Sequence, residues 1–227
     1  MISGSKMFAL LLCMTLLPWT SAEASASRSE TTAAAASLSA TSQTLIAALG
    51  QPAPARTPFA EARFLKVLDK PLVVSGELAW LGGDQLQRRV DHPNQETASI
   101  ANGEVTLQRP GKSARTFSLS HAPQLQVLLD SFVALLSGDG GRLQQAFTIS
   151  QTGQASGAWT LTLTPRDAKV AKTVASIVIA GEGKQPRCMQ MQEADGDLAI
   201  DLLGPLADQM PTQPTRASLQ ALCQGAH

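Results

Sequence analysis

Between Phe59 and Leu119 the apolar residues return at every second position, and this period of two constrains the fold more than any other feature. Leu72, Val74, Gly76, Leu78 and Trp80 fall on one face of a strand, since successive side chains point to opposite sides. The pattern predicts strands over 60–68, 72–81, 96–101, 104–108 and 115–120, with another around Leu86, Arg88 and Val90. Turn residues separate them: Asp69-Lys70-Pro71, Gly82-Gly83-Asp84, Asn102-Gly103 and Pro110-Gly111. Asn-Gly is the preferred pair for a two-residue hairpin turn, where both positions need positive φ. Strands this short and regular describe an antiparallel meander.

Two helical stretches flank the first meander. Leu38, Leu45, Ile46 and Leu49 recur near helical spacing, with Ser39, Ser42 and Gln43 expected outward and Gly50 as a helix-ending glycine. Pro52, Pro54 and Pro58 then predict an irregular, stiff linker that could hinge. The second helix, starting at Pro123, carries Leu125, Leu128, Leu129, Phe132, Val133, Leu135 and Leu136. These cover more than the single stripe of a surface helix, so the helix is buried on two sides or lines a hollow. A helical turn is expected over 143–147. Strands follow over 158–164, 174–180, 187–193 and 198–203, then a proline-marked tail and a last helix over 216–223.

The start of the chain reads as an export signal. Lys6 precedes an apolar run over 7–17, and small residues follow from Ser21 to Ala26. That run is shorter than the roughly 20 residues that span a bilayer. The sequence divides into a signal peptide over 1–24, a disordered Ser/Thr/Ala leader over 25–37 and one domain over 38–227. Export places Cys188 and Cys223 in an oxidising compartment, where a disulfide between them is expected.

Composition excludes several functions. The 18 Lys and Arg balance the 18 Asp and Glu, which argues against nucleic acid, whose binding rests on many cationic contacts to phosphate. His92, His121 and His227 stand apart from one another and from cysteine, so no metal-ligand set forms. Asp139 lies in a glycine-rich turn without the spacing of a calcium loop and is read as part of the turn ending the apolar helix. Asp195 and Asp197 flank Gly196 in a hairpin, an ordinary place for Asp. No nucleophile elbow and no phosphate-binding glycine loop is present. Nothing in the chain asks for an enzyme or a cofactor. On composition alone Trp80, Leu128, Phe132 and Trp159 are core residues.

The order of motifs is more specific than any one of them. An amphipathic helix is followed by Phe59-Ala60-Glu61-Ala62-Arg63-Phe64, by Ser75-Gly76-Glu77-Leu78-Ala79-Trp80, by Leu86 and Pro93, by Ala101-Asn102-Gly103, and by a leucine-rich helix. This series resembles the periplasmic lipoprotein-carrier (LolA-like) family over about 38–203. The resemblance implies an α+β fold: a strongly curved, unclosed antiparallel sheet, a half-barrel, with helices covering its concave face. It implies a carrier that shelters acyl chains of a lipoprotein or another lipid and moves them from inner towards outer membrane. Relatives on this fold instead bind other lipids or sense mislocalised lipoproteins, which is the alternative reading. The lining implied is Leu45, Leu49, Phe64, Val74, Leu78, Trp80, Leu128, Leu129, Phe132 and Trp159. The partners implied are an acyl lipid or lipoprotein cargo, an inner-membrane exporter and an outer-membrane acceptor, met by a monomer. One departure stands out. Gly83 occupies the place of the family's lid-holding arginine, with Arg88 and Arg89 nearby as substitutes or as solvated edge residues.

Overall fold

The structure, a computed structural model, describes residues 38–154 and 156–225. The expected signal peptide and leader lie outside the described residues. The described strands form one eleven-stranded antiparallel sheet in the order β6-β5-β4-β3-β2-β1-β11-β10-β9-β8-β7. The first meander is β1 (Ala55–Phe64), β2 (Leu72–Gly82), β3 (Gln85–His92), β4 (Glu96–Ala101), β5 (Glu104–Gln108) and β6 (Arg115–Ser118). The second is β7 (Phe147–Gly153), β8 (Ala158–Pro165), β9 (Val174–Glu182), β10 (Gln185–Glu193) and β11 (Leu198–Leu203). The last strand returns to pair with the first, so β1 and β11 form the middle of the sheet and β6 and β7 its two edges.

The connection between those edges explains the curvature. The chain leaves β6 through a 3-10 turn (Leu119–His121), then forms α2 (Pro123–Leu136) and α3 (Gly140–Ala146) before entering β7. Laid flat, ten gaps between strands would span about 48 Å. A fourteen-residue helix is about 21 Å long, and α3 packs back against it through the core they share. The sheet curls until its edges come within reach of this connection, with α1 (Ala40–Leu49), α2 and α3 over the concave face. It does not close.

Local chemistry sets the elements. Asn102 and Gly103 have φ of 54° and 72°, as their hairpin requires. The Ser39 hydroxyl caps α1 by accepting the Ser42 N–H. Ser42 itself is buried, not outward as expected, because its hydroxyl bonds that of Ser39 at 2.9 Å. Gly50 has negative φ, so it does not end α1 by a left-handed turn. It is small because a Cβ there would sit 3.1–3.2 Å from the backbone of Ser137 and Gly138. The Gln51 N–H donates to the Leu136 carbonyl at 2.9 Å, so the C-terminal ends of α1 and α2 are bound together.

Two expectations are corrected. The proline linker is shorter than expected, since β1 already begins at Ala55 and runs through Pro58. Pro58 is tolerated because β11 pairs with β1 only from Phe59 onward, which leaves one flank of the strand open there. β7 (Phe147–Gly153) is not among the expected strands, because Gln151 interrupts its inner face after Phe147 and Ile149 and leaves too short an alternation. Asp139 belongs to the turn that ends α2, as expected, its N–H donating to the Ala134 carbonyl at 2.8 Å, and its side chain also caps the start of α3, accepting the Arg142 N–H at 2.9 Å.

A second, smaller core lies on the convex face. Ala62, Leu198, Ile200, Leu202 and Cys188 pack there under Leu206, Leu219 and Cys223. Leu219 and Cys223 belong to α5 (Arg216–Cys223), which opens on a capping box between Thr215 and Ser218. Cys188 on β10 and Cys223 on α5 are joined by a disulfide with a Cα–Cα distance of 5.6 Å. A cross-link spanning 35 positions removes on the order of 3–4 kcal/mol of chain entropy from the unfolded state. Cys188→Ser with Cys223→Ser should therefore lower the melting temperature by about 10 °C. Calorimetry with and without reductant checks this. A disulfide-free double variant that melts with the parent would show the cross-link to be dispensable.

Candidate functional site

Register assigns every strand residue to a face. Phe59, Glu61 and Arg63 on β1 pair with Gly76, Val74 and Leu72 on β2, and with Leu203, Asp201 and Ala199 on β11. Followed outward, the same face carries Leu86, Arg88 and Val90, then Ile100 and Ala98, then Val105 and Leu107. On the other side it carries Met189 and Met191, then Ile177 and Ile179, then Leu161 and Leu163. This is the concave face, and it is apolar almost throughout.

Its two halves are covered unequally. Over β8 and β9 it is sealed: Leu161, Leu163, Ile177 and Ile179 are buried against Leu45, Ile46 and Leu49 of α1, Leu128 and Leu135 of α2, and Leu143 of α3, with Ile149 of β7 and Met189 and Met191 of β10 half-buried at the margins. Over β2–β6 the cover is partial: Val90 and Val105 are buried, but their neighbours are not. Leu78, Leu86, Ala98, Ile100 and Leu107 are only half-buried, and Phe117 is 41% exposed. Leu125, Leu129 and Leu136 of α2 are likewise half-buried. Trp80 stands at this open half, buried, with its indole N–H donating to the Gly83 carbonyl at 3.0 Å.

A polar seam lies between the halves, on β1, β11 and β3. Arg88 reaches across to Glu61, Nη2 to Oε2 3.1 Å, and its guanidinium stacks over the Phe59 ring at 4.7 Å. Gly76 clears the path, because it is the position between Phe59 and Val90 on this face and has no side chain. Arg63 pairs with Glu193 at 3.1 Å, and its Nε is buried without an acceptor. Asp201 sits opposite Glu61 and is 5% exposed. Among the described residues it accepts no hydrogen bond and joins no ion pair. Burial pushes its carboxyl up to about 8, and the nearby Glu61 charge adds to the rise against the pull of Arg88 and Arg63.

The lining residues expected from sequence separate into three groups. Leu45, Leu49, Leu128 and Trp159 are fully packed in the sealed half, with Phe132 packed against them. The Trp159 indole N–H is satisfied by the Gly183 carbonyl at 2.8 Å, and its ring fills the space above Gly181. Val74, Leu78, Trp80 and Leu129 belong to the open half. Phe64 is corrected: it pairs with Leu198 on the convex face, where Arg216 stacks over its ring at 5.5 Å. The alternation of β1 makes Phe59 the concave phenylalanine. Arg88 is not a solvated edge residue, and it is spent on Glu61 and Phe59. Arg89 pairs with Asp91 on the exposed face. Sequence reasoning also missed Leu86, Ile100, Val105 and Leu107, whose periods of two did not show which face was concave.

Other features are accounted for locally. Glu193, Asp195 and Asp197 cluster at the β10–β11 hairpin. There Asp195 accepts the Asp197 N–H and Asp197 accepts the Lys66 N–H, as turn carboxylates do. A cleft of about 380 Å3 lies between the β1–β2 turn and the C-terminal tail, away from the concave face. No described helix is long and apolar enough to cross a membrane.

The sequence pattern of the family described as outer membrane lipoprotein carrier protein LolA-like matches residues 32–226. The chain belongs to this LolA-like family. No curated protein matches it significantly. Similar solved structures include a LolA superfamily protein from Nitrosomonas europaea, 11% identical over 73% of this chain and 92% of that one, with a TM-score of 0.41. Another is an outer membrane lipoprotein-sorting protein domain from Vibrio parahaemolyticus, 10% identical over 80% and 97%, with a TM-score of 0.38. The Pseudomonas aeruginosa MucA/MucB complex contains a chain 13% identical over 78% and 58%, with a TM-score of 0.33. Such scores carry no functional weight, and membership rests on the sequence match.

Proposed function

We propose that this chain is a periplasmic carrier that shelters the acyl chains of a lipoprotein or another lipid on the open half of its concave face. One observation supports the reading above the rest: a single apolar face is sealed over β8 and β9, while over β2–β6 most of its residues, Leu78, Leu86, Ala98, Ile100 and Leu107 among them, are left half-covered. Family membership supplies the class of ligand. An acyl chain of about fifteen methylenes loses roughly 12 kcal/mol when stripped into water. A carrier must offset much of that and still release its load. The wide apolar surface of α2 allows it to trade contacts with the sheet for contacts with the chain it covers. Because α1 and α2 are bound together at their C-terminal ends, a shift of one carries the other.

The test separates lining from core on the same face. Leu78→Glu should keep the fold and weaken displacement of a fluorescent fatty acid by about tenfold or more, since a charge then borders the hydrocarbon. Leu161→Glu, at a fully sealed position, should not fold. Lipid extracted from the periplasmically expressed protein should contain acyl species. A wild-type protein that neither copurifies with lipid nor binds the probe would refute the carrier reading.

A further inference from the structure

Asp201 is accommodated by its own chain only as the neutral acid. It is buried on the concave face, and among the described residues neither a donor nor a cation is bound to it, although two arginines lie close. Buried carboxylates are otherwise paired or hydrogen-bonded. Both arginines are committed, Arg88 to Glu61 and Arg63 to Glu193. With Asp201 ionised, the five charged groups of the seam (Glu61, Arg63, Arg88, Glu193, Asp201) sum to one negative charge. In that state the seam is one cation short, and below about pH 8 a proton on Asp201 stands in for it. It also borders the half-covered apolar trough, where Val74 lies beside Glu61 on the same face. An amphiphile with its tail in that trough can place its polar end on the seam.

We propose that the seam is a subsite for one positively charged nitrogen of the cargo, held by Asp201 with Glu61 beside it. This rests on the reading of the trough as the acyl site. An ammonium group brings the missing charge and up to three donors. An anionic head finds no uncommitted guanidinium there. The orphaned Nε of Arg63 would be satisfied by an oxygen acceptor near that nitrogen. Both a lipid headgroup amine and a lysine of a lipoprotein supply this chemistry.

Three probes of equal tail length isolate the head: dodecylamine, dodecanol and dodecanoate, each displacing a fluorescent fatty acid. Wild-type protein should prefer the amine to the alcohol by about tenfold or more near pH 8. Near pH 7, where Asp201 must give up a proton to pair, calorimetry in two buffers of different ionisation heat should find close to one proton released per amine bound. Asp201→Asn should abolish both the preference and the proton release. Equal binding of amine and alcohol by wild type, or an undiminished preference in D201N, overturns the subsite while leaving the carrier reading intact. If none of the three probes binds, both readings fall. Vesicles with and without phosphatidylethanolamine, and a diacylated peptide with lysine or alanine, distinguish the sources. Preference for either amine-bearing member assigns the source, and indifference to both overturns the proposal.

Discussion

The folded protein should lose stability as pH rises from about 4 to 8, and Asp201→Asn should remove most of that slope. The direction follows from linkage. The Asp201 carboxyl titrates at about 8 in the folded chain and near 3.8 when unfolded, so between these values the native state holds a proton that the unfolded state has released. Stability from this group is fully present below the unfolded value and is lost as pH passes through the folded one. The separation corresponds to on the order of 5 kcal/mol at full value. Movement of Arg63 towards the carboxylate, or entry of water, would reduce it, so a loss of about 2 kcal/mol or more is the expected measurement. That is a large share of the 5–15 kcal/mol or so that holds a typical domain together. Asp167 works in the opposite direction. Its carboxylate caps α4 (Ala168–Ala171) through the Val170 and Lys169 N–H groups, which hold it below the usual range, and its contribution is lost only as pH falls below about 4. Urea titrations near pH 5, 7 and 9 on wild type and D201N decide the matter. Parallel pH profiles for the two proteins would show that Asp201 is not the source.

Gly76→Val should abolish folding. A Cβ on Gly76 would overlap the carbonyl oxygen of Arg89 on the neighbouring strand, and it would approach the Val90 Cα as well. Both obstacles are backbone, so neither can turn aside as a side-chain end would. The register shifts beside this position, between Ser75 and Gly76, and brings the strands together there. Relief requires β2 and β3 to separate near the centre of the sheet. The loss should exceed about 4 kcal/mol. Gly83→Ala is the control, because nothing lies within 4 Å of its Cβ and only its φ of 57° resists, at a cost of about 1 kcal/mol. Soluble yield and far-ultraviolet circular dichroism check the pair. A folded Gly76→Val protein melting near wild type would mean that the strand pairing at this point is far more compliant than the structure describes.

Much of the architecture could be read before any coordinates. The turn glycines, the Asn102-Gly103 hairpin and the period of two placed most strands, and the broad apolar coat of α2 announced a helix buried over a sheet. β4, β5 and α5 were legible to the residue because each is bounded by residues that can do little else. β7 was not, since only Phe147 and Ile149 are apolar on its inner face and Gln151 interrupts the alternation after two places.

The candidate site was half legible. Leu78, Trp80 and Val74 could be assigned to one face, because alternation within a strand is local. Whether Phe59 or Phe64 joined them could not, because that depends on how β1 registers with β2, and both phenylalanines have apolar neighbours. Asp201 looked like any acid in a late strand. Its burial, and its place opposite Glu61, arise only when β11 returns to the middle of the sheet.

The sequence by itself determined the elements, their order and the presence of an apolar excess on alternate positions, since all three depend on residues a few places apart. Only the tertiary structure decided which face was concave, which half of it the helices sealed, and where charge was trapped between the halves. Those outcomes depend on strands that are distant along the chain meeting in one register, and no local pattern records that meeting.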